Sequence, residues 1–413
     1  MCSVALLGPT FSLAALLSID YQLEEGGRVS LAVYDAKGTM VRTLKSGVPE
    51  DAGQYHVDWD GLDHYGHAVA PGTYQWRLLR TPGLEAQYIG MLGTNAVPNS
   101  YDHWFANHSM PVSAVSDGKW LYLGGMGENV PASLCVSLDG NDLRWTAHQR
   151  FAWARDESMA LAGDLLFSLS THKSRASVHA IDPQDGQEKF QFDVIWDEKD
   201  FGTVRQYQMT TAGQWIVIAY PEFDALRWYE PAKRENKKAP VPFTKTTLAK
   251  PVDMIGTPQG MVYVISDDQV LRVEQNGSTQ TIIDASRLHS PYRIAYVAKS
   301  NQLLIAERGD SHVVKRFDIA TGKLLRTYGR AGGRLGGVFI KTDFLNICDV
   351  ADDGHGGFIV QEGGHGALRR TVRMDAQGKH VRTWYGSPQF FNYACPDPAD
   401  PSRIFYRSDE GSK

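Results

Sequence analysis

Arg316-Phe317-Asp318-Ile319-Ala320-Thr321-Gly322-Lys323-Leu324-Leu325-Arg326-Thr327-Tyr328-Gly329 decides the fold of this chain, because the phrase occurs twice. The second copy is Arg373-Met374-Asp375-Ala376-Gln377-Gly378-Lys379-His380-Val381-Arg382-Thr383-Trp384-Tyr385-Gly386. Each copy reads as strand, Gly turn, strand. Looser hairpins recur upstream around Asp139-Gly140, Asp185-Gly186 and Asn276-Gly277. A period of roughly 40–55 residues holding several short strands implies a β-propeller.

Working outward from the phrase, each repeat has a second turn nearer its start. These turns fall at Asp117-Gly118, Ala162-Gly163, Ala212-Gly213, Gln259-Gly260, Ser300-Asn301 and Gly354-His355-Gly356-Gly357. Apolar strands follow them, such as Trp215-Ile216-Val217-Ile218 and Phe358-Ile359-Val360. Six units are complete. A partial seventh is offered by Phe391 to Cys395 and Arg403 to Tyr406, with Gln87 to Leu92 able to supply its outer strand. Strands from both ends would then close the ring and remove its edges. The count favours seven blades and leaves six open.

Composition agrees with an all-β protein. The 413 residues include 40 Gly, 10 Trp and 18 Tyr, which suit turns and strands. A net charge of −5, with no basic stripe, argues against nucleic acid as a partner. No segment is long and apolar enough to span a membrane. The four cysteines show no metal spacing; Cys135, in an apolar strand, reads as a buried thiol. Residues 1–17 are apolar without a basic start, and read as a first strand or a trimmed signal peptide.

Before the repeats lies a separate unit. Val29 to Asp35 alternates apolar and polar, as a half-buried strand does. Four motifs follow in order: Tyr34-Asp35-Ala36-Lys37-Gly38, Val41-Arg42-Thr43-Leu44, Trp59-Asp60-Gly61 and Pro71-Gly72-Thr73-Tyr74. Trp59 and Tyr74 would anchor a small sandwich. These motifs resemble the immunoglobulin-like domain of the flagellar hook-capping protein, also found in exported bacterial proteins. The last two repeats, with Arg-Phe-Asp, Gly-Lys and Thr-Tyr-Gly, resemble NHL-type propeller repeats. The expected fold is therefore a small β-sandwich over residues 1–83 followed by a β-propeller over residues 84–413. The resemblance implies an extracellular, periplasmic or cell-surface setting and leaves the activity open.

In a propeller, the starts of the inner strands and the loops after the second strands converge on the channel mouth. Those positions here are unusually polar. They include His103 and His108; Arg155, Asp156 and Glu157; Arg205 and Tyr207; Asp253; His289, Tyr292 and Arg293; Asn346 and Asp349; Asn392 and Tyr393. The following loops add Glu222, Glu307, Arg308, His312, Glu362 and His365. Arg and Tyr could hold a uronate carboxylate while His or Tyr moves a proton in a β-elimination. Glu pairs could act on a glycosidic bond. Asp, Asn and Glu could hold Ca²⁺ or another divalent metal in the channel for lactone chemistry.

The leading expectation is a carbohydrate-active propeller of polysaccharide lyase or glycoside hydrolase type. Its catalytic candidates are Tyr207, His289, Arg293, Glu157 and Glu307. Its substrate-binding candidates are His108, Arg155, Arg205, Tyr292, Asn346, Glu362, Asn392 and Tyr393. A non-catalytic propeller that binds glycan or protein is the alternative, and a metal-dependent lactonase-like hydrolase is third. The chain carries no Ser elbow, no HExxH and no CxxC pair.

Overall fold

The computed structural model describes residues 2–5, 17–83, 90–95, 105–106, 109, 111–127, 130–147, 155–172, 175–194, 207–231, 244–334, 340–363, 369–386, 391–397 and 400–408. Side chains are described for all of these except 2–5, 172, 175, 391–397 and 400–408. The chain separates into two compact units, Met1–Tyr88 with Cys395–Phe405, and Ile89–Ala394 with Tyr406–Lys413. Among the described residues no helix is long and apolar enough to cross a membrane.

The first unit is a two-sheet sandwich. Its strands are β1 (Cys2–Ala5), β2 (Leu17–Leu23), β3 (Gly27–Tyr34), β4 (Met40–Glu50), β5 (Gly53–Trp59) and β6 (Thr73–Thr81). One sheet runs β1-β6-β3-β4 and the other pairs β2 with β5. Alternation puts Ile19, Tyr21 and Leu23 on the inner face of β2, against Val29, Leu31 and Val33 of β3. Trp59 and Tyr74 meet edge to face at 5.2 Å in this core. Each keeps its polar atom satisfied: Trp59 Nε1 donates to Leu62 O at 2.9 Å, and Tyr74 Oη donates to Ala70 O at 2.6 Å.

Among the described residues the second unit contains six four-stranded antiparallel sheets, in residues 113–147, 155–193, 208–247, 251–283, 291–328 and 347–385. We number them blades 1 to 6. In each, strands follow one another in chain order from the innermost to the outermost. Apolar side chains fill the spaces between blades. Phe167, Leu169, Ile216 and Ile218 join blades 2 and 3, and Leu304, Ala306, Phe358 and Val360 join blades 5 and 6.

The ring closes with six. Blade 6 packs directly on blade 1 through Ala351, Ile359 and Trp384 against Leu121, Leu123 and Leu134. Gln361 Nε2 donates to Ser113 O at 3.3 Å and Trp384 Nε1 to Gly140 O at 2.9 Å across the same seam. Gly354 backs onto Gly118 so closely that a Cβ there would lie 2.7 Å from the Gly118 Cα. The favoured seventh blade has no place in this ring. Phe391–Asp397 instead pairs with Asp400–Ser408 as a two-stranded sheet. The stretch expected to supply an outer strand also goes elsewhere: Leu92 N–H donates to Tyr385 O of blade 6 at 2.7 Å, and Asn141 Nδ2 of blade 1 donates to Met91 O. Gln87 to Ile89 lie outside the described residues.

Candidate functional site

Four inner strands carry one extra residue near their start. The register slips between Asp156 and Ser158, Pro251 and Asp253, Pro291 and Arg293, and Ile347 and Asp349. Such bulges re-aim the side chains next to them. The residue after each bulge is polar: Ser158, Asp253, Arg293 or Asp349. Three of these accept the amide of the next inner strand. Ser158 Oγ takes Met209 N–H at 3.1 Å, Asp253 Oδ2 takes Ile294 N–H at 2.8 Å, and Asp349 Oδ2 takes Ala114 N–H at 2.7 Å. The same spacing makes Gln208 and Ser113 the corresponding residues of blades 3 and 1. A ring of six polar side chains therefore surrounds the channel and also joins the blades.

Arg293 is the one cation of that ring and is 5% exposed. Its Nη1 and Nη2 donate to Tyr292 O and Tyr292 Oη, both at 3.2 Å. Its Nε lies 3.9 Å from Asp349 Oδ1 and makes no hydrogen bond among the described residues. The guanidinium stands 4.0 Å from the centre of the Tyr292 ring, and that of Arg308 stands 3.5 Å from it. Such contacts draw on the negative face of the ring.

Burial dominates the electrostatics here. Desolvation raises Asp253 to about 6 and Asp349 to about 7, against the opposing pull of Arg293. Desolvation also raises Glu157, with Arg155 and Thr171 resisting. For Arg293, burial would lower the pKa, but Tyr292, Asp253, Asp349 and Glu157 together raise it. Arg293 supplies positive charge to Asp253, Asp349 and Glu157 alike. Among the described residues, no three His, Cys, Asp or Glu side chains gather into a metal-binding group.

The structure brings Arg293, Tyr292, Glu157 and Arg155 into this neighbourhood, with Arg155 Nε 3.1 Å from Glu157 Oε2. The other candidates have different surroundings. Glu307 is 1% exposed and accepts from His289 N at 2.8 Å, Ser311 Oγ at 2.6 Å and Lys315 Nζ at 2.7 Å. Glu362 is fully buried and accepts from Leu345 N at 2.6 Å and from Arg370 Nε. Both glutamates thus fasten the segment leading into an inner strand and carry their own cation. The His289 side chain belongs to an exposed residue. Tyr207 sits in the apolar cluster between blades 2 and 3, edge-on to Tyr220 at 5.0 Å. Asn346 takes a left-handed conformation with φ of 51° and donates its amide to His312 Nδ1. His108, Arg205, and the side chains of Asn392 and Tyr393 lie outside the described residues.

Asp253 and Asp349 are visible in the sequence as polar strand starts that could hold a metal, but their bonds to the next blade are not. Ser113, Ser158 and Gln208 do not stand out there. One usable signal is the shared Pro-x-polar spacing of Pro251-Val252-Asp253 and Pro291-Tyr292-Arg293.

Comparison with known proteins bears on the first unit. The family model of the FlgD Ig-like domain matches residues 10–81. That match covers the sandwich and leaves the propeller unassigned. Among solved structures, FlgD from P. aeruginosa is 29% identical over 17% of this chain and 55% of that one, with a TM-score of 0.16. A structural genomics protein of unknown function from Bacteroides thetaiotaomicron covers 88% of this chain and 94% of its own, at 10% identity and a TM-score of 0.44. A chain of the mitotic checkpoint complex covers 79% and 94%, at 9% identity and a TM-score of 0.42. No curated protein matches the chain in sequence.

Proposed function

We propose that the propeller is an exported, acidic-glycan-binding domain that grips a uronate carboxylate at the channel. The observation that carries this reading is the stack of Arg293 and Arg308 on Tyr292. Two guanidinium groups held on one aromatic ring suit a planar carboxylate. Arg308 has no carboxylate within ion-pair distance among the described residues; its Nε donates to the neutral Ile347 O. The likeness of residues 10–81 to the FlgD Ig-like domain supports the exported setting. Binding without turnover fits the glutamates best, because Glu307 and Glu362 are already held by internal donors.

A second reading, a polysaccharide lyase, has one observation in its favour. Asp349, raised to about 7, suits a group that exchanges a proton near neutral pH. The test is one panel of polyuronates and neutral polysaccharides, read for binding, for unsaturated-uronate absorbance and for reducing ends. Binding of polyuronates alone, weakened by Arg308→Gln, supports the receptor. A rise in both absorbance and reducing ends that Asp349→Asn abolishes supports the lyase. Absence of polyuronate binding overturns both.

A further inference from the structure

The two copies of the repeated phrase place an arginine at the same register, Arg316 in blade 5 and Arg373 in blade 6, and their surroundings differ. Arg373 is fully compensated. Its Nε donates to Asp353 Oδ2 at 2.9 Å and its Nη1 to Asp139 Oδ1 at 2.6 Å. Asp353 stands four residues after Asp349. The matching residue, four after Arg293, is Val297. Blade 5 has therefore kept the cation and lost its carboxylate.

Arg316 is 5% exposed. It donates only to neutral acceptors: Nη1 to Gln302 Oε1 at 3.1 Å and Nη2 to Gly356 O at 3.0 Å. Its Nε has no hydrogen-bond partner among the described residues. Asp352 is close enough for Arg316 to pull on its charge, but its two oxygens accept the amides of Ala298 and Gly354 and it forms no ion pair with Arg316 among the described residues. A buried guanidinium with no carboxylate bonded to it is unfavourable.

Arg316 lines a groove of about 700 Å³ formed by blades 5 and 6. Lys299 and Arg326 line it too, and they donate to the carbonyls of His355 and Gln377. The two acids of the groove are already occupied. Asp353 holds Arg373 and the amides of His355 and Gly357, and Asp375 holds the amides of Gln377 and Lys379. The charge left to be matched in the groove is positive.

We infer that this groove is an anion site, taking the carboxylate or phosphate group of a small ligand onto Arg316, with Arg326 and Lys299 at its rim. The inference is independent of the glycan reading of the channel, because none of its residues belongs to the Arg293–Tyr292–Arg308 stack.

The test uses the full chain, inorganic phosphate, acetate and glucose, at constant ionic strength. Phosphate or acetate should raise Tm to a plateau and glucose should not; which anion binds more tightly identifies the source. Arg316→Gln should weaken that binding by about tenfold or more, as loss of a charge-assisted contact does. Val297→Asp restores the carboxylate found in blade 6. It should raise Tm without anion and abolish the anion response. Arg308→Gln should leave the response in place. A flat response of the wild-type protein, or one that survives Arg316→Gln unchanged, overturns the site. If Val297→Asp fails to fold, Arg316→Gln still decides.

Discussion

Asp349 Oδ2 accepts the amide of Ala114 at 2.7 Å, fastening the inner strand of the last blade to that of the first across 235 positions of sequence. This bond is one step of a series that includes Asp253 with Ile294 and Ser158 with Met209. Each satisfies a buried amide that no sheet partner reaches. Asp349→Ala leaves the Ala114 amide without its acceptor and should destabilise the propeller by about 1–3 kcal/mol. Hydrogen exchange at Ala114 should speed up with it. Unchanged protection of that amide would show that the seam is held by the apolar contacts alone.

The same carboxylates make stability depend on pH. Asp253 at about 6 and Asp349 at about 7 lie above the roughly 3.9 of an unfolded aspartate. The folded protein therefore holds protons that the unfolded chain has released. Their contribution is full below about pH 4 and is lost as pH rises through 6 and then 7. Urea unfolding of the wild type and of Asp349→Asn at pH 5 and pH 8 checks this. The loss between the two pH values should be smaller in the variant, and equal losses would reject the assignment.

Glu362 and Arg370 are both fully buried and bonded to each other. Glu362→Ala leaves the guanidinium on the Lys341 and Asp343 carbonyls without its carboxylate and should cost about 3–5 kcal/mol, in the range of other broken buried pairs. Replacing both residues by Met should recover much of that loss. Glu307→Ala should cost less, because its partner Lys315 has a side chain 17% exposed and can reach water. Thermal unfolding of the four proteins separates these outcomes. A Glu362→Ala protein of wild-type stability would return that residue to the substrate-binding candidates.

How much of this was legible in the sequence follows the range of each interaction. The hairpins around Gly322 and Gly378 and the four sandwich motifs depend on neighbours in sequence, so they read directly. The number of blades depends on which strands meet at the seam, and Phe391 to Cys395 looks locally like another inner strand. Arg316 and Arg373 sit in near-identical phrases, yet their partners differ because Asp353 and Asp139 come from turns elsewhere in the chain and, for Asp139, from another blade. The bulges before Asp253 and Arg293 shift which side chain faces the channel by one residue, and no alternation pattern records that shift.

In the sandwich, Tyr74 Oη donates to Ala70 O at 2.6 Å while its ring packs on Trp59. Tyr74→Phe removes only the hydrogen bond and should destabilise the first unit by about 1 kcal/mol. Tyr74→Ala also empties the space beside Trp59 and should cost about 3–5 kcal/mol, the range for losing a buried aromatic ring. Hydrogen exchange of the β5 and β6 amides in the full chain reports this unit's unfolding. A larger effect from Tyr74→Phe than from Tyr74→Ala would contradict the packing seen here.

The proposed channel ligand makes the final prediction, and its sign comes from the two aspartates. At pH 8, ionised Asp349 and Asp253 stand beside Arg293 and offset its charge, with Glu157 and Arg155 close by. As pH falls through about 7 and then about 6, each takes up a proton and leaves the guanidinium pair on Tyr292 less opposed. A uronate, with a pKa near that of other carboxyl groups, about 3.5, stays ionised throughout this window. Polyuronate affinity should therefore rise from pH 8 to pH 5.5, and fall with added salt if the attraction is electrostatic. Calorimetric titration at constant ionic strength measures it. Asp349→Asn should flatten the upper half of the profile, because it removes the group that titrates near 7. An affinity that falls with acidification would mean that the carboxylates, rather than Arg293 and Arg308, make the contact.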